Sequence, residues 1–440
     1  MSTTITGPRH DRSTTTAAPH APGRISDTDW SVSFDQALAA ELRRRATRRR
    51  VAFWLLAFVF AAAMLGTTLP TPLYVIYQAQ WHFSAAMVTV IFAAYAAAVL
   101  ATLLLAGRSS DQAGRRPVLA VALGLGALST VAFIVARDEG VLLVGRVLSG
   151  MSAGLMTGTA TAALTELIPA PAGRRASLTA TAANMGGLGL GPLIAGLFAQ
   201  YAPHPTTLVF EVYLVILAVA GLCLRFVPET ISPRRRPALR FAGLGLPERE
   251  RGQFIAAAVA GFAAFALLGL FSSLVPGFIG GVLHQGSHAV QGAVVFGVFA
   301  VGTVTQVALS RFSSRRVVLA GLGLFLVALA LIVAALAQAA MALFLAGTVV
   351  GGVAVGAIFL GSLATANRLA PPERRGQSIS AFFVACYAGL SIPVVGVGVL
   401  SRFTGTFPAV LAFSVLLAAL CLFSLARIAT ALASDPAVSR

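Results

Sequence analysis

Ionisable side chains are scarce in this 440-residue sequence, and few stand where they could do chemistry. Arg146 lies a turn or two inside one apolar run, and Glu211 is the carboxylate well inside another. Asp111 precedes the pair Arg115-Arg116 by four residues, and Glu166 stands near the end of a later apolar run. A charge at membrane depth must face a cavity, a carbonyl cluster or an acid, so Arg146 and Glu211 suit proton exchange or cavity binding. Asp111 can accept hydrogen bonds from a helix N-terminus, and Arg115 can pair with a nearby acid, for which Glu166 is the candidate. Bond-making chemistry has no footing: the sequence holds no phosphate loop, nucleophile elbow, zinc-ligand spacing or paired carboxylates. We therefore expect no enzyme, cofactor or metal site.

The elements that position these groups follow from composition. Apolar residues make up 57% of the chain and charged ones 11%, far from the roughly one-quarter charged of a soluble domain. A span needs about twenty apolar residues, and twelve such runs occur, near 51–77, 85–106, 117–136, 141–164, 178–200, 207–227, 254–282, 289–309, 317–336, 341–366, 378–400 and 407–427. This predicts an all-α membrane protein of two six-helix bundles, 51–227 and 254–427. A linker at 228–253, a largely disordered tail at 1–50 and a C-terminal tail at 428–440 complete it. Phe34, Leu38 and Leu42 suggest a short amphipathic stretch within the first tail.

All 32 basic residues are arginine, and the formal charge is +17. Such a charge would suit nucleic acid, but the arginines sit in the gaps between apolar runs, so we expect no nucleic-acid partner. Arg108, Arg115, Arg116, Arg174, Arg175, the linker set, Arg311, Arg315 and Arg316 fall on one face, Arg137 and Arg402 on the other. That asymmetry predicts both termini in the cytoplasm, in a multi-pass cell-membrane protein. Cys223, Cys386 and Cys421 lie in apolar runs at unrelated spacings, which argues against disulfides.

The sequence also repeats itself. Arg115-Arg116-Pro117-Val118-Leu119-Ala120 returns as Arg315-Arg316-Val317-Val318-Leu319-Ala320, and Gly150 to Gly154 return as Gly352 to Gly356. Thr67-Thr68 before Pro70 returns as Ser272-Ser273 before Pro276. Two similar halves can rock about a site between them.

The segment Gly107-Arg108-Ser109-Ser110-Asp111-Gln112-Ala113-Gly114-Arg115-Arg116 resembles the signature of the major facilitator superfamily between its second and third helices. The resemblance implies a conformational latch of Gly107, Asp111, Gly114, Arg115 and Arg116. Asp111 would accept from a helix N-terminus, and Arg115 would pair with an acid, for which Glu166 is the candidate. In the second copy Arg311 and Ser314 replace Asp111 and Gly114, so any latch there must differ. Gly145-Arg146-Val147-Leu148-Ser149-Gly150 is similar to the family's fourth-helix motif. Gly187, Gly191, Pro192 and Gly196 look like the fifth-helix motif of its antiporter-type exporters, although Ala195 stands where a glycine is usual. Gly187 and Gly191 would admit a neighbouring helix and Pro192 would bend the span. Val227-Pro228-Glu229-Thr230 also resembles the family's sixth-helix end.

A midplane cavity should be lined by polar or interrupted helices, which selects Thr67, Thr68, Tyr95, Asn184, Ser272, Ser273, Gln306 and Tyr387. The function implied is proton-coupled export of small hydrophobic or amphipathic compounds by alternating access, by a monomer in the lipid bilayer. The alternatives are an importer or uniporter of a sugar, organic acid or similar metabolite, and a non-transporting membrane sensor.

Overall fold

The computed structural model describes residues 27–106, 109–168, 173–231, 250–371 and 375–433. Gly107, Arg108, the tail before residue 27, linker residues 232–249 and residues 434–440 lie outside them. In chain order the helices are α1 (Asp27–Thr68), α2 (Tyr74–Trp81), α3 (Ala85–Ala106), α4 (Ser109–Ala113), α5 (Arg115–Val135), α6 (Glu139–Leu167), α7 (Gly173–Tyr201) and α8 (Pro205–Arg225). The second half comprises α9 (Arg251–Ser273), α10 (Val275–Gly281), α11 (His288–Leu309), α12 (Ser314–Ala337), α13 (Met341–Leu369), α14 (Arg375–Thr404) and α15 (Thr406–Ala433).

Among the described residues twelve stretches of helix are long and apolar enough to cross a membrane, from Leu38–Trp81 to Thr406–Thr430. Lipid offers no hydrogen bonds, so a span must bond its own backbone, and continuous helix is the solution these apolar runs adopt. Residues 27–50, expected to belong to a largely disordered tail, are helical and form the first part of α1. In residues 27–48, Glu41 and Arg45 pair at 2.8 Å, and Leu38 and Leu42 are exposed.

Each half begins with a broken helix. α1 stops at Thr68, a single 3₁₀ turn spans Thr71–Leu73, and α2 completes the crossing. α9 stops at Ser273 and resumes as α10, with Pro276 in its first turn. A proline has no N–H and fits the first turn of a helix, so both breaks fall where the proline sits.

The duplication extends to packing. A Cβ on Gly150 would run into the Tyr95 carbonyl of α3, and one on Gly352, its counterpart, would stand 3.0 Å from the Val298 carbonyl of α11. The repeated glycines thus bring α6 onto α3 and α13 onto α11 in the same way. Between the halves, α7 lies against α11 and α3 against α14.

Candidate functional site

Call the end of the helices where α5 begins and α6 finishes the arginine end, and the opposite one the far end. At the arginine end Gly114 turns the chain from α4 into α5 with φ 103° and ψ 153°, a backbone that favours glycine. The freed N–H groups of Arg115 and Arg116 donate to Glu229 Oε1 at 2.8 Å and Oε2 at 3.0 Å. A carboxylate at a helix N-terminus satisfies its orphan donors and complements its dipole. A Cβ on Gly114 would stand 2.7 Å from Glu229 Oε2.

The Arg115 guanidinium reaches three acceptor side chains. Nη2 and Nε donate to Glu166 at 2.8 and 3.3 Å, and Nη1 meets Asp111 Oδ1 at 2.6 Å and Ser110 Oγ at 2.6 Å. The Thr230 hydroxyl donates to the same Glu166 carboxylate. Arg115 and Glu166 are therefore together, as the sequence suggested. Asp111 lies in the first turn of α4 and meets the Arg115 side chain, while Glu229 takes the backbone donors that open α5. In the second half Arg315 donates to the Ile428 carbonyl of α15 at 2.9 Å, and Ser313 caps α12 through Arg316 N at 3.5 Å.

Towards the far end, Arg146 of α6 is 1% exposed. Its Nη1 donates to the Thr67 carbonyl, one of the last carbonyls of α1, freed where the prolines end the helix. Its guanidinium carbon stands 4.5 Å from the Tyr95 ring centroid and 5.3 Å from that of Phe92. Nε of Arg146 has no hydrogen-bond partner among the described residues. Among the described residues Arg146 makes no ion pair.

The glycines of α7 serve two faces. Cβ atoms on Gly187 and Gly191 would strike the α1 carbonyls of Ala61 and Leu65, so these positions admit α1. Gly196 faces the other half: a Cβ there would stand 2.6 Å from the His288 carbonyl and 3.0 Å from Gly292 Cα of α11. A Cβ on Gly292 would in turn run into the Pro192 carbonyl. Nearby, Gln200 Oε1 accepts from the His288 N–H at 3.0 Å, and Gly398 of α14 lies against Thr89 of α3. The two halves are thus sealed at the far end by backbone in contact with backbone.

Beneath this seal lies a cavity of about 80 Å³ between the halves, lined by Thr68, Phe92, Tyr95, Thr157 and Asn184 on one side. Phe265, Ser272, Phe299, Phe359, Phe383 and Tyr387 line the other. That volume admits a handful of waters, so a larger guest requires the walls to part. Phe383 also borders a second space of about 170 Å³, between α3, α6 and α14 on the arginine side.

Thr68, Tyr95, Asn184, Ser272 and Tyr387 therefore share the cavity. Three other candidates do not line it. Thr67 is buried and turns its hydroxyl to the Met64 carbonyl at 2.7 Å, Ser273 turns to Gly269 at 2.7 Å, and Gln306 is buried on α11 away from the cavity. Glu211 does not line the cavity. It is exposed, because Phe210, Tyr213, Leu217 and Leu224 form the buried face of α8 and position 211 lies to the side of that stripe. Sequence reasoning missed the phenylalanines of the cavity. Core-facing and lipid-facing phenylalanines read alike in an apolar run, though the position of Phe92 and Phe383 near Tyr95 and Tyr387 was a usable signal. It also missed Glu229 as a helix cap, although its tetrapeptide stood out.

The family model for the Major Facilitator Superfamily matches residues 56–392. Puromycin resistance protein pur8 of Streptomyces alboniger is 32% identical over 159 residues, 36% of this chain and 30% of that protein. An uncharacterized MFS-type transporter, Rv1250, of Mycobacterium tuberculosis is 29% identical over 147 residues, 33% of this chain and 25% of that protein. The chain thus aligns with less than a third of either relative's length. Among solved structures, the human organic anion transporter MFSD10 has a TM-score of 0.63 at 17% identity, covering 86% of this chain and 99% of that one. A peptide transporter, POT, has a TM-score of 0.70 at 13% identity, covering 86% and 94%. At such identities the likeness is one of fold.

Proposed function

Because this chain belongs to the major facilitator superfamily, we propose that it is a secondary active transporter exporting small hydrophobic or amphipathic compounds by alternating access, driven by protons. The observation that carries the reading is the far-end seal. Gly196 and Gly292 let α7 and α11 touch backbone to backbone, an interface that can part as a unit, above a cavity that shares Phe383 with the space on the arginine side. With the arginine end in the cytoplasm, as the positive-inside rule has it, this conformation faces inward. The apolar, aromatic lining suits hydrophobic guests, and the similarity to a puromycin resistance protein favours efflux.

The latch is the switch in this reading. Arg115 holds two carboxylates at once, so this rim contact can loosen stepwise as the two lobes rock. The protein would act as a monomer in the cell membrane, with 51–227 and 254–427 as its two lobes.

The test is purified protein in liposomes with an imposed pH gradient, screened against chemically varied solutes with a pH-reporting dye inside. Solute movement against its gradient, opposite in direction to the proton, is the expected result. Movement in the proton's direction would favour the importer alternative, and no flux with any solute would overturn the transport reading.

A further inference from the structure

Among the described residues no carboxylate lines the central cavity to neutralise a guest. Its lining is aromatic and aliphatic, with Thr68, Asn184, Ser272 and Tyr387 among the groups that can hydrogen-bond. The nearest formal charge on the described walls is Arg146, directly behind two lining rings, with its guanidinium carbon 4.5 Å from the Tyr95 centroid and 5.3 Å from that of Phe92. A buried arginine is normally neutralised by an acid. This one instead meets the carbonyl of Thr67 at the end of α1. A helix C-terminus carries roughly half a negative charge, so about half a unit of positive charge remains uncompensated in a low-dielectric setting.

Resting on the export reading above, we propose that Arg146 sets the charge selectivity of the cavity from behind its wall, so that the transported compounds are neutral or anionic aromatics and cations of equal size are disfavoured. Two effects oppose one another here. Aromatic walls attract cations through their ring quadrupoles. Phe92 and Tyr95, however, already spend that attraction on Arg146. On the opposite wall Phe265 packs against Phe359 at 5.5 Å and edge-on against Tyr387 at 5.8 Å, so these rings are largely engaged with one another. A net charge acts over longer range than a quadrupole, and it decides the sign. Asn184 and Tyr387 add hydrogen-bond donors, which an anionic group accepts and a quaternary ammonium cannot use.

The test uses the purified full-length protein and three radiolabelled naphthalenes of near-equal size, bearing hydroxymethyl, carboxylate or trimethylammonium groups. Equilibrium dialysis gives their affinities, and liposome flux gives their transport. In the wild type the cation is expected to bind about tenfold or more weakly than the neutral compound, with the anion at least equal to it. Arg146→Gln should erase the cation's disadvantage, whereas Arg146→Lys, which keeps the charge, should retain it. Should Arg146→Gln fail to fold, Asn184→Asp places a negative charge in the cavity and should reverse the order. Equal wild-type affinities, an order unchanged in Arg146→Gln and Asn184→Asp, or no binding of any of the three would each overturn the proposal. The affinity order does not depend on transport. An order as expected without outward flux sinks the export reading alone, and outward flux without the order sinks this inference alone.

Discussion

The Thr68 hydroxyl of α1 donates to the Leu188 carbonyl of α7 at 2.6 Å, and Leu188 stands four residues before Pro192. In an unbroken helix the N–H of residue 192 would bond that carbonyl, and proline has none. Thr68 thus supplies from a neighbouring helix the bond that Pro192 removes, at the point where α7 also meets α11 through Gly292. The hydroxyl is therefore committed to the backbone, although Thr68 lines the cavity.

That relationship predicts an epistatic pair. Thr68→Val should destabilise the protein by about 1–3 kcal/mol, the usual cost of a buried polar group left without a partner, while Thr68→Ser should be close to wild type. Pro192→Ala restores an N–H to Leu188, so Thr68→Val in that background should cost markedly less. Thermal unfolding in detergent checks all four, and equal costs in both backgrounds would remove Thr68 from this role.

At the proposed latch, the side chain of Asp111 is 60% exposed and that of Glu166 is 28% exposed. Exposed ion pairs contribute about 0–1 kcal/mol, and a bidentate pair that is half buried contributes more. Glu166→Gln should therefore impair flux more than Asp111→Asn, with both proteins still inserted in the membrane. Arg115→Lys should resemble Glu166→Gln, because lysine cannot make the two-pronged contact. Flux in liposomes, normalised to inserted protein, decides the ranking.

Glu229 caps α5 through two backbone N–H groups. Glu229→Ala should lower stability by about 0.5–2 kcal/mol, in the range of helix N-cap losses, and Glu229→Gln, which retains an acceptor oxygen, should lose less. A thermal melt of the three proteins measures this directly.

Glu211→Gln should leave pH-driven flux within about twofold of wild type, because surface substitutions away from special features change little and Glu211 is exposed. Loss of coupling in this variant would return Glu211 to the proton pathway.

At the far end, Gly292→Leu should drive a side chain into the Pro192 carbonyl and prevent the seal from forming. A cysteine introduced at Gln200, beside that seal, should react faster with an impermeant thiol reagent in the Gly292→Leu background than in the wild type. An unchanged rate would mean that α7 and α11 do not form the gate.

Much of the architecture is legible in the chain because the bilayer imposes it. A run of about twenty apolar residues has one low-energy solution in lipid, so the spans could be placed closely. The extension of α1 back to Asp27 was less visible, since arginine-rich helix outside an apolar run carries no such compulsion. The pairing of Arg115 with Glu166 was also readable, because few acids exist to choose from. Glu211 misled because a charge in an apolar run draws attention whichever way it points, and the helical phase of α8, not its depth, placed it on the exposed side.

By itself, then, the sequence determined where the twelve long apolar helices lie and which short motifs repeat along them, since these follow from local hydrophobicity and from residues close along the chain. Which faces meet was decided only in three dimensions. Thr68 and Leu188 are 120 residues apart, as are no two partners that spacing could suggest, and Arg146 reaches back 79 residues to Thr67. In lipid the apolar pattern cannot tell a helix face turned to a neighbour from one turned to an acyl chain, because both surroundings are equally apolar. Close approach of small residues and the bonding of stray carbonyls make that choice, and they operate only once the helices are packed.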